Sequence, residues 1–412
     1  MLVSLHVTNC SISFRRATIG GMRIACRLTL SAFVCIVALA GCSKPKELRA
    51  SGEIWHYPHP FLSSFVGAAD GVQGLVPKVF DGEKPAVADI AGPDASRTVL
   101  VWGEWNYEWL DRARDGIWLD PSPTLDGTLY GSTLPRNAPL IEETGGGRFL
   151  PTHVSYVGLF HRADSRLGSS DAWSWIEFEA SLEQARSAGL HPIAIGAAFT
   201  SPALAWFGML DMRFNGSAEY KSFLDGERKI SDKSFDVVFA TLEAWREKGY
   251  FHPQSSTWSW VQALQAVLDG QATCTLLSAS SATRVPPGTD IAFLRLPDDG
   301  DEDTGGEIAQ VYGYSIAGDV AGLESALAWV QSVSQVDVGN RGIEPLSAET
   351  RSEEFPDQKA FFESDEPILP PLEVGLRAQD SYDIGLSFSQ FLRDESYTAS
   401  DLRDQIGRFL SR

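Results

Sequence analysis

The side chains in this chain that could do chemistry are aromatic and polar groups near strand and helix ends. The motifs of catalysis are incomplete. Gly313-Tyr-Ser315-Ile-Ala317-Gly318 misses the spacing of a nucleophile elbow. His56-x-x-His59 contains Pro58 and lacks the helix that would bring two imidazoles to one metal. Asp299-x-Asp301-x-Asp303 begins like a calcium loop, but Thr304 stands where the turn glycine is needed and Gln310 where a bidentate Glu would close the shell. It reads as a solvated acidic loop. Gly145-Gly146-Gly147 is a turn, because no Lys-Ser/Thr follows it. No spacing singles out a pair of carboxylates. No metal site, no cofactor and no enzyme activity are expected.

What remains is a set of aromatics with polar neighbours, and the elements that position them. Thr98 to Trp102 is a β-branched apolar run that reads as a buried strand; Gly103 turns it and Glu104 to Asp115 reads as a helix. Ligands in open α/β sheets bind at the carboxyl ends of strands, where helix N-termini present free N–H donors. That geometry places Trp102, Trp105 and Asn106 near any cleft. Phe235, Val238, Phe239, Leu242 and Trp245 form one helix face, with Ser231, Asp232 or Ser234 as caps and Gly249 as the stop. Thr257 is expected to cap a further helix through Val261, Leu264, Val267 and Leu268, stopped by Gly270. At about 100° per residue, Trp258 lies farther from that apolar stripe than Trp260, and both fall in the first turn. Ser174 and Glu177 form a capping box for a helix carrying Phe178, Leu182 and Ala185. Ser201-Pro202 is expected to cap and start the helix that carries Trp206. Most of the 12 tryptophans must be core.

The N-terminus reads as an export address. Met22 to Arg27 is a basic region and Leu28 to Val37 an apolar one too short to span a bilayer. Leu39-Ala40-Gly41-Cys42 resembles a bacterial lipobox, which implies cleavage before Cys42 and lipidation of its thiol. Residues 1–41 are then a signal peptide whose true start is Met22, and 43–52 a polar tether. Removing 1–41 leaves 30 basic against 54 acidic residues, a charge of −24. Nucleic acid is excluded as a partner by that sign. Cys274 alone would remain as a thiol, so no internal disulfide is expected.

Several pieces in one order resemble the sugar-binding (maltose-binding-like) family 1 of extracellular solute-binding proteins that serve ABC importers. They are Asp211-Met-Arg213-Phe-Asn215-Gly216, Gly226…Asp232, Trp245…Gly249-Tyr250-Phe251 and Trp258…Gly270-Gln-Ala272. Phe149 to Phe160 resembles the strand that crosses between lobes in that family. Trp173-Ser-Trp175-Ile-Glu177-Phe178, Leu190 to Gly196, Ile291 to Pro297, Val311 to Ile316 and Ser325 to Val333 also resemble family segments. The resemblance is good over 97–350 and loose at the flanks.

The resemblance implies an α/β, two-lobed periplasmic-binding-protein type II fold, with a ligand cleft between lobes joined by a hinge. The first lobe would be 53–160 plus 291–335, and the second 161–290 plus 336–412. It further implies a monomeric receptor, held to a membrane by its lipid and facing the periplasm or cell exterior. Such a receptor would capture a small saccharide or polyol and deliver it to ABC permease subunits. A degenerate sensory or adaptor lipoprotein is the alternative, and a carbohydrate-active lipoprotein enzyme a further one. Sugars are held by flat aromatic faces and by polar side chains that bind hydroxyls in pairs. The implied ligand contacts are Trp55, His56, Trp102, Trp105, Asn106, Tyr156, Trp206, Asp211, Arg213, Trp258, Trp260 and Tyr312. Asp211 and Arg213 also read as a pair that holds a turn. Tyr312 and Tyr314 alternate on one strand, so one of them faces the cleft. The family's stacking Trp after the strand that follows Gly270 is missing: Cys274-Thr-Leu-Leu-Ser278-Ala-Ser-Ser runs there instead.

Overall fold

The structure is a computed structural model that describes residues 52–56, 75–79, 98–104, 149–163, 165, 167, 174–297, 305–317, 323–333, 342–345, 361 and 367–410, the first three stretches as backbone. The signal peptide, Cys42, residues 105–115 with Trp105 and Asn106, and the Asp299–Asp303 loop lie outside the described residues. Gly103 does not turn the chain and Glu104 does not start a helix, because both continue the strand and pair with Gly313 and Tyr312. Strands β1 (Gly52–His56), β2 (Leu75–Val79) and β3 (Thr98–Glu104) pair in parallel, with β1 between the other two. The following strand, β4 (Leu150–Arg162), is 13 residues long and buried along nearly its whole length. Burial on both faces explains its sequence, which is apolar without the strict alternation of a half-exposed strand. Its polar residues find partners inside: Thr152 donates to the Tyr312 carbonyl at 3.3 Å, and Ser155 bonds Ser278 at 2.7 Å.

Helix α1 (Trp175–Ser187) begins with the expected capping box: Ser174 N–H donates to Glu177 at 2.8 Å and Glu177 N–H to Ser174 Oγ at 3.3 Å. Strand β5 (His191–Ile193) follows, and then α2 (Thr200–Leu224). Gly216, at φ 87°, interrupts α2, so the Asn215-Gly216 step joins two helical segments. Helix α2 is not capped by Ser201. Its cap is the extended Phe199, which supplies no side-chain bond. Helix α3 (Asp236–Glu247) grows from a 3-10 turn at Lys233–Phe235 and buries Val238, Phe239, Leu242 and Trp245 as the spacing predicts. None of Ser231, Asp232 or Ser234 caps it by a side chain; Phe235 occupies that position.

Helix α4 (Trp260–Leu268) is capped by Ser259, not Thr257, in a second capping box with Gln262. Trp258 therefore precedes the helix and does not share its first turn with Trp260. Strand β6 (Ala272–Ser278), a 3-10 turn at Ala279–Arg284, and strands β7 (Ile291–Leu294) and β8 (Glu307–Ala317) come next. The last elements are α5 (Leu323–Val333), the short strands β9 (Glu344–Pro345) and β10 (Ile368–Leu369), a 3-10 turn at Leu372–Gly375, α6 (Ala378–Arg393) and α7 (Ala399–Leu410).

Among the described residues the strands form one sheet with the order β2-β1-β3-β8-β4-β6-β5. Strand β4 holds it together. Its first half runs antiparallel to β8, and its second half runs antiparallel to β6 and β7. Helices α1, α2, α3, α6 and α7 pack a large core against the β5–β6 end, with Trp175, Trp206, Phe178 and Phe251 ringed around Trp245. A second core, with Phe160, Phe293 and Phe361, includes residues of β4, β6 and β8. No described helix is long and apolar enough to cross a membrane.

Candidate functional site

Where β4, β6 and β8 meet the start of α2, the structure forms an open cavity of about 430 Å³. That lies in the range of small-molecule sites. Two aromatic faces border it. Phe199, at the start of α2, is 56% exposed and lines it. Trp260, half-buried, opens α4. Gly196 fixes Trp260, because a Cβ there would overlap the Trp260 backbone. Strand β8 contributes Gln310 and Tyr312, and the Tyr312 hydroxyl donates to Gln310 Oε1 at 3.1 Å. At the end of β6 stand Ser278 and Ser280. Ser280 N–H donates to Ser155 Oγ at 2.8 Å, and the Ser278 and Ser280 hydroxyls lie 2.9 Å apart. These serines hold one another, and they occupy the place where the sequence lacks the aromatic ring. Arg284 is exposed at the edge.

The acidic group of the cavity is Glu373. It accepts from the Ser201 hydroxyl and from its own backbone N–H, yet burial outweighs both bonds and pushes its carboxyl up to about 7. Its Oε2 is sealed from solvent and has no hydrogen-bond partner, although the residue as a whole is half-buried. Ser201, expected as a helix cap, thus serves the cavity instead.

The other predicted site residues are placed as follows. Trp260 and Tyr312 line the cavity. Trp258 is beside α4 but stacks on His252, with centroids 4.1 Å apart. Trp206 is 1% exposed and meets Trp245 edge to face at 5.6 Å. Tyr156 is buried against Phe361. Asp211 and Arg213 are fully buried. Asp211 pairs with Arg228 and accepts from Asn215 at 2.8 Å. Arg213 donates to the Gly306 carbonyl at 2.8 Å and faces Glu307 at 3.5 Å, and Arg295 pairs with Glu307 from another side. Asp211 and Arg213 do not pair with each other; each is held by separate partners. For Trp55, His56 and Trp102 the structure describes the backbone, on β1 and β3. Phe199, Ser201, Gln310, Arg284 and Glu373 are cavity residues that sequence reasoning missed. Glu373 left one signal: it is the lone charge within the apolar run Ile368 to Leu376.

Many solved structures share this architecture. The bacterial solute receptor AcbH, described as having an exclusive preference for β-D-galactopyranose, superposes with a TM-score of 0.69 at 16% identity, over 88% of this chain and 99% of that one. A probable secreted solute-binding lipoprotein from Streptomyces coelicolor gives 0.71 at 15% identity, over 88% and 99%. RafE bound to raffinose gives 0.63 at 14%, over 87% and 99%. The chain has the solute-binding-protein fold. No protein-family model matches the sequence, and no curated protein matches it. The likeness is thus carried by backbone architecture. Within this fold the strands β4 and β8 carry Val157, Gln310 and Tyr312 directly into the cavity wall.

Proposed function

We propose that the chain is an extracytoplasmic solute-binding receptor of a carbohydrate ABC importer. It captures a sugar or polyol and delivers it to the permease. The observation that carries this reading is the cavity itself: two aromatic faces, Phe199 and Trp260, stand with Gln310, Tyr312, Ser201 and Glu373 around about 430 Å³. Aromatic faces suit the C–H side of a pyranose and the polar groups its hydroxyls. The neighbours in this fold are named as receptors for galactopyranose, chitin oligosaccharide and raffinose, which supports the same ligand class here.

The two lobes would be 53–160 plus 291–335 and 161–290 plus 336–412, with β4 and β8 passing between them. Ligand would bridge the lobes and shift an open–closed equilibrium by its differential affinity for the closed form. Trp55 and Trp102, on the β1 and β3 backbones, would close from the first lobe together with His56, Trp105 and Asn106. The lipid on Cys42 would hold the receptor at the membrane, as a monomer facing the periplasm or exterior. Isothermal titration with mono- and oligosaccharides tests the reading: one saccharide class binds saturably, and binding is weakened in Trp260→Ala. The serine chain at the end of β6 favours a second reading, an adaptor that has kept the fold and lost sugar stacking. Absence of binding across the panel by a folded sample would favour it.

A further inference from the structure

The cavity wall that follows β6 is built from hydroxyls whose protons can be counted. Ser155 is fully buried and its Oγ already accepts from the Ser280 N–H at 2.8 Å, so its own proton goes to Ser278 Oγ at 2.7 Å. The link between the Ser278 and Ser280 hydroxyls, 2.9 Å long, uses one further proton. Three hydroxyls carry three protons, and these two links use two of them. The proton left over belongs to Ser278 or Ser280, and both residues line the cavity. A hydroxyl at the end of such a chain is polarised by the bonds behind it and donates more strongly.

Two more donors meet the same space. Gln310 Oε1 accepts from the Tyr312 hydroxyl at 3.1 Å, which leaves the N–H bonds of its amide for the cavity. Arg284 ends the 3-10 turn Ala279–Arg284 that carries Ser280. It is exposed at the cavity edge, and no hydrogen bond or ion pair holds it among the described residues. Thr283, beside it, donates its own proton to the Ser280 carbonyl at 2.9 Å. Arg284 is the cation among the described lining residues. The acid, Glu373, comes from another segment and accepts from Ser201.

We propose that the ligand is an anionic saccharide, a sugar acid or a sugar phosphate, whose anion is bound by Arg284. Its other acceptor oxygens meet the leftover serine hydroxyl and the Gln310 amide. This rests on the receptor reading above and narrows it. A carboxylate or phosphate presents acceptor oxygens, which suits a wall whose uncommitted groups are donors. The guanidinium fork matches two oxygens of either anion at once. Phe199 and Trp260 serve the ring of such a ligand as they would a neutral one. Like charge disfavours the anion beside Glu373, which directs the charged end of the ligand to the Arg284 edge.

The experiment is isothermal titration of the full chain with galactose, galacturonate and galactose phosphate, and with raffinose and chitin oligosaccharide as longer neutral sugars, at low and at high salt. One of the two anionic sugars should bind at least about tenfold more tightly than galactose, the scale of a hydrogen bond to a charged group. Which of them binds better names the anion as carboxylate or phosphate. High salt should reduce that preference. Arg284→Gln should cut the ratio of the two affinities to below about threefold, and Arg284→Lys, a point charge without the fork, should keep part of it. Arg284 is exposed, so these variants report on the ligand and not on the core, and their melting temperatures verify the fold. A neutral sugar bound as tightly as the anionic ones, or a preference that persists in Arg284→Gln, overturns this inference alone. Silence from every sugar, charged and neutral, in a folded sample overturns the receptor reading beneath it.

Discussion

Replacing Arg228 with Met tests whether Asp211 belongs to the scaffold. Asp211 is fully buried, its Oδ2 has no partner, and Oδ1 is held by Arg228 and Asn215. Arg228 is itself 6% exposed and lies 3.9 Å over the Phe235 ring, so Met keeps much of the packing and removes the charge. A buried carboxylate that loses its cation costs about 3–5 kcal/mol. For the body Leu48–Arg412, about 2.1 cal/mol/K per residue gives a melting entropy of about 0.8 kcal/mol/K. The loss then lowers the melting temperature by about 4–6 °C. Burial already raises the Asp211 pKa against the opposing pull of Arg228, and without Arg228 it rises further. A carboxyl with a raised folded pKa destabilises the fold when ionised, so the penalty should shrink as pH falls from 7 toward 4. The assay is thermal melting monitored by Trp fluorescence at both pH values. A shift below about 1 °C, or one that grows on acidification, would refute the reasoning.

Trp260→Ala should weaken saccharide binding by about 1–3 kcal/mol in titration calorimetry, whereas Trp258→Ala should leave it within twofold, because Trp258 stacks on His252 outside the cavity. Equal losses in both would move the stacking surface. Gly196→Ala should cost about 1–3 kcal/mol of stability and also weaken binding, since the new methyl displaces the Trp260 backbone; unfolding curves and titration on the same sample separate the two effects. Because burial pushes the folded Glu373 carboxyl up to about 7, above the usual carboxylate range, the ligand-free protein should gain stability as pH falls from 7 toward 4.5, and Glu373→Gln should abolish that gain in melting scans. Cys42→Ser should release the protein from membranes on fractionation. If the mutant still sediments with them, the lipid anchor is wrong.

The sequence was most legible where burial is periodic. Val238, Phe239, Leu242 and Trp245 repeat on the helix period and form the inner face of α3. The Ser174–Glu177 capping box is a local interaction, so local sequence suffices to find it. Caps and sites that depend on distant chain were missed. Ser201 sits one residue before a proline, which suggests a cap, but Glu373 arrives from 172 positions away and takes its hydroxyl. Thr257 and Ser259 are both plausible caps by type, and Gln262 decides between them only once the turn is built. Asp211 and Arg213 share a motif, yet their partners Arg228 and Glu307 lie on other segments. Phe199 could not be read as a cavity ring because exposure is a tertiary property.

The central claim is that the cavity beside Trp260 and Phe199 receives a saccharide. A thermal-shift and Trp-fluorescence screen of the purified protein against mono- and oligosaccharides tests it most directly. The account predicts a saturable rise in melting temperature with one saccharide class, because a ligand that binds the folded state alone stabilises it. It also predicts that Trp260→Ala reduces that rise. A cooperatively folded sample whose melting temperature no saccharide changes would contradict it.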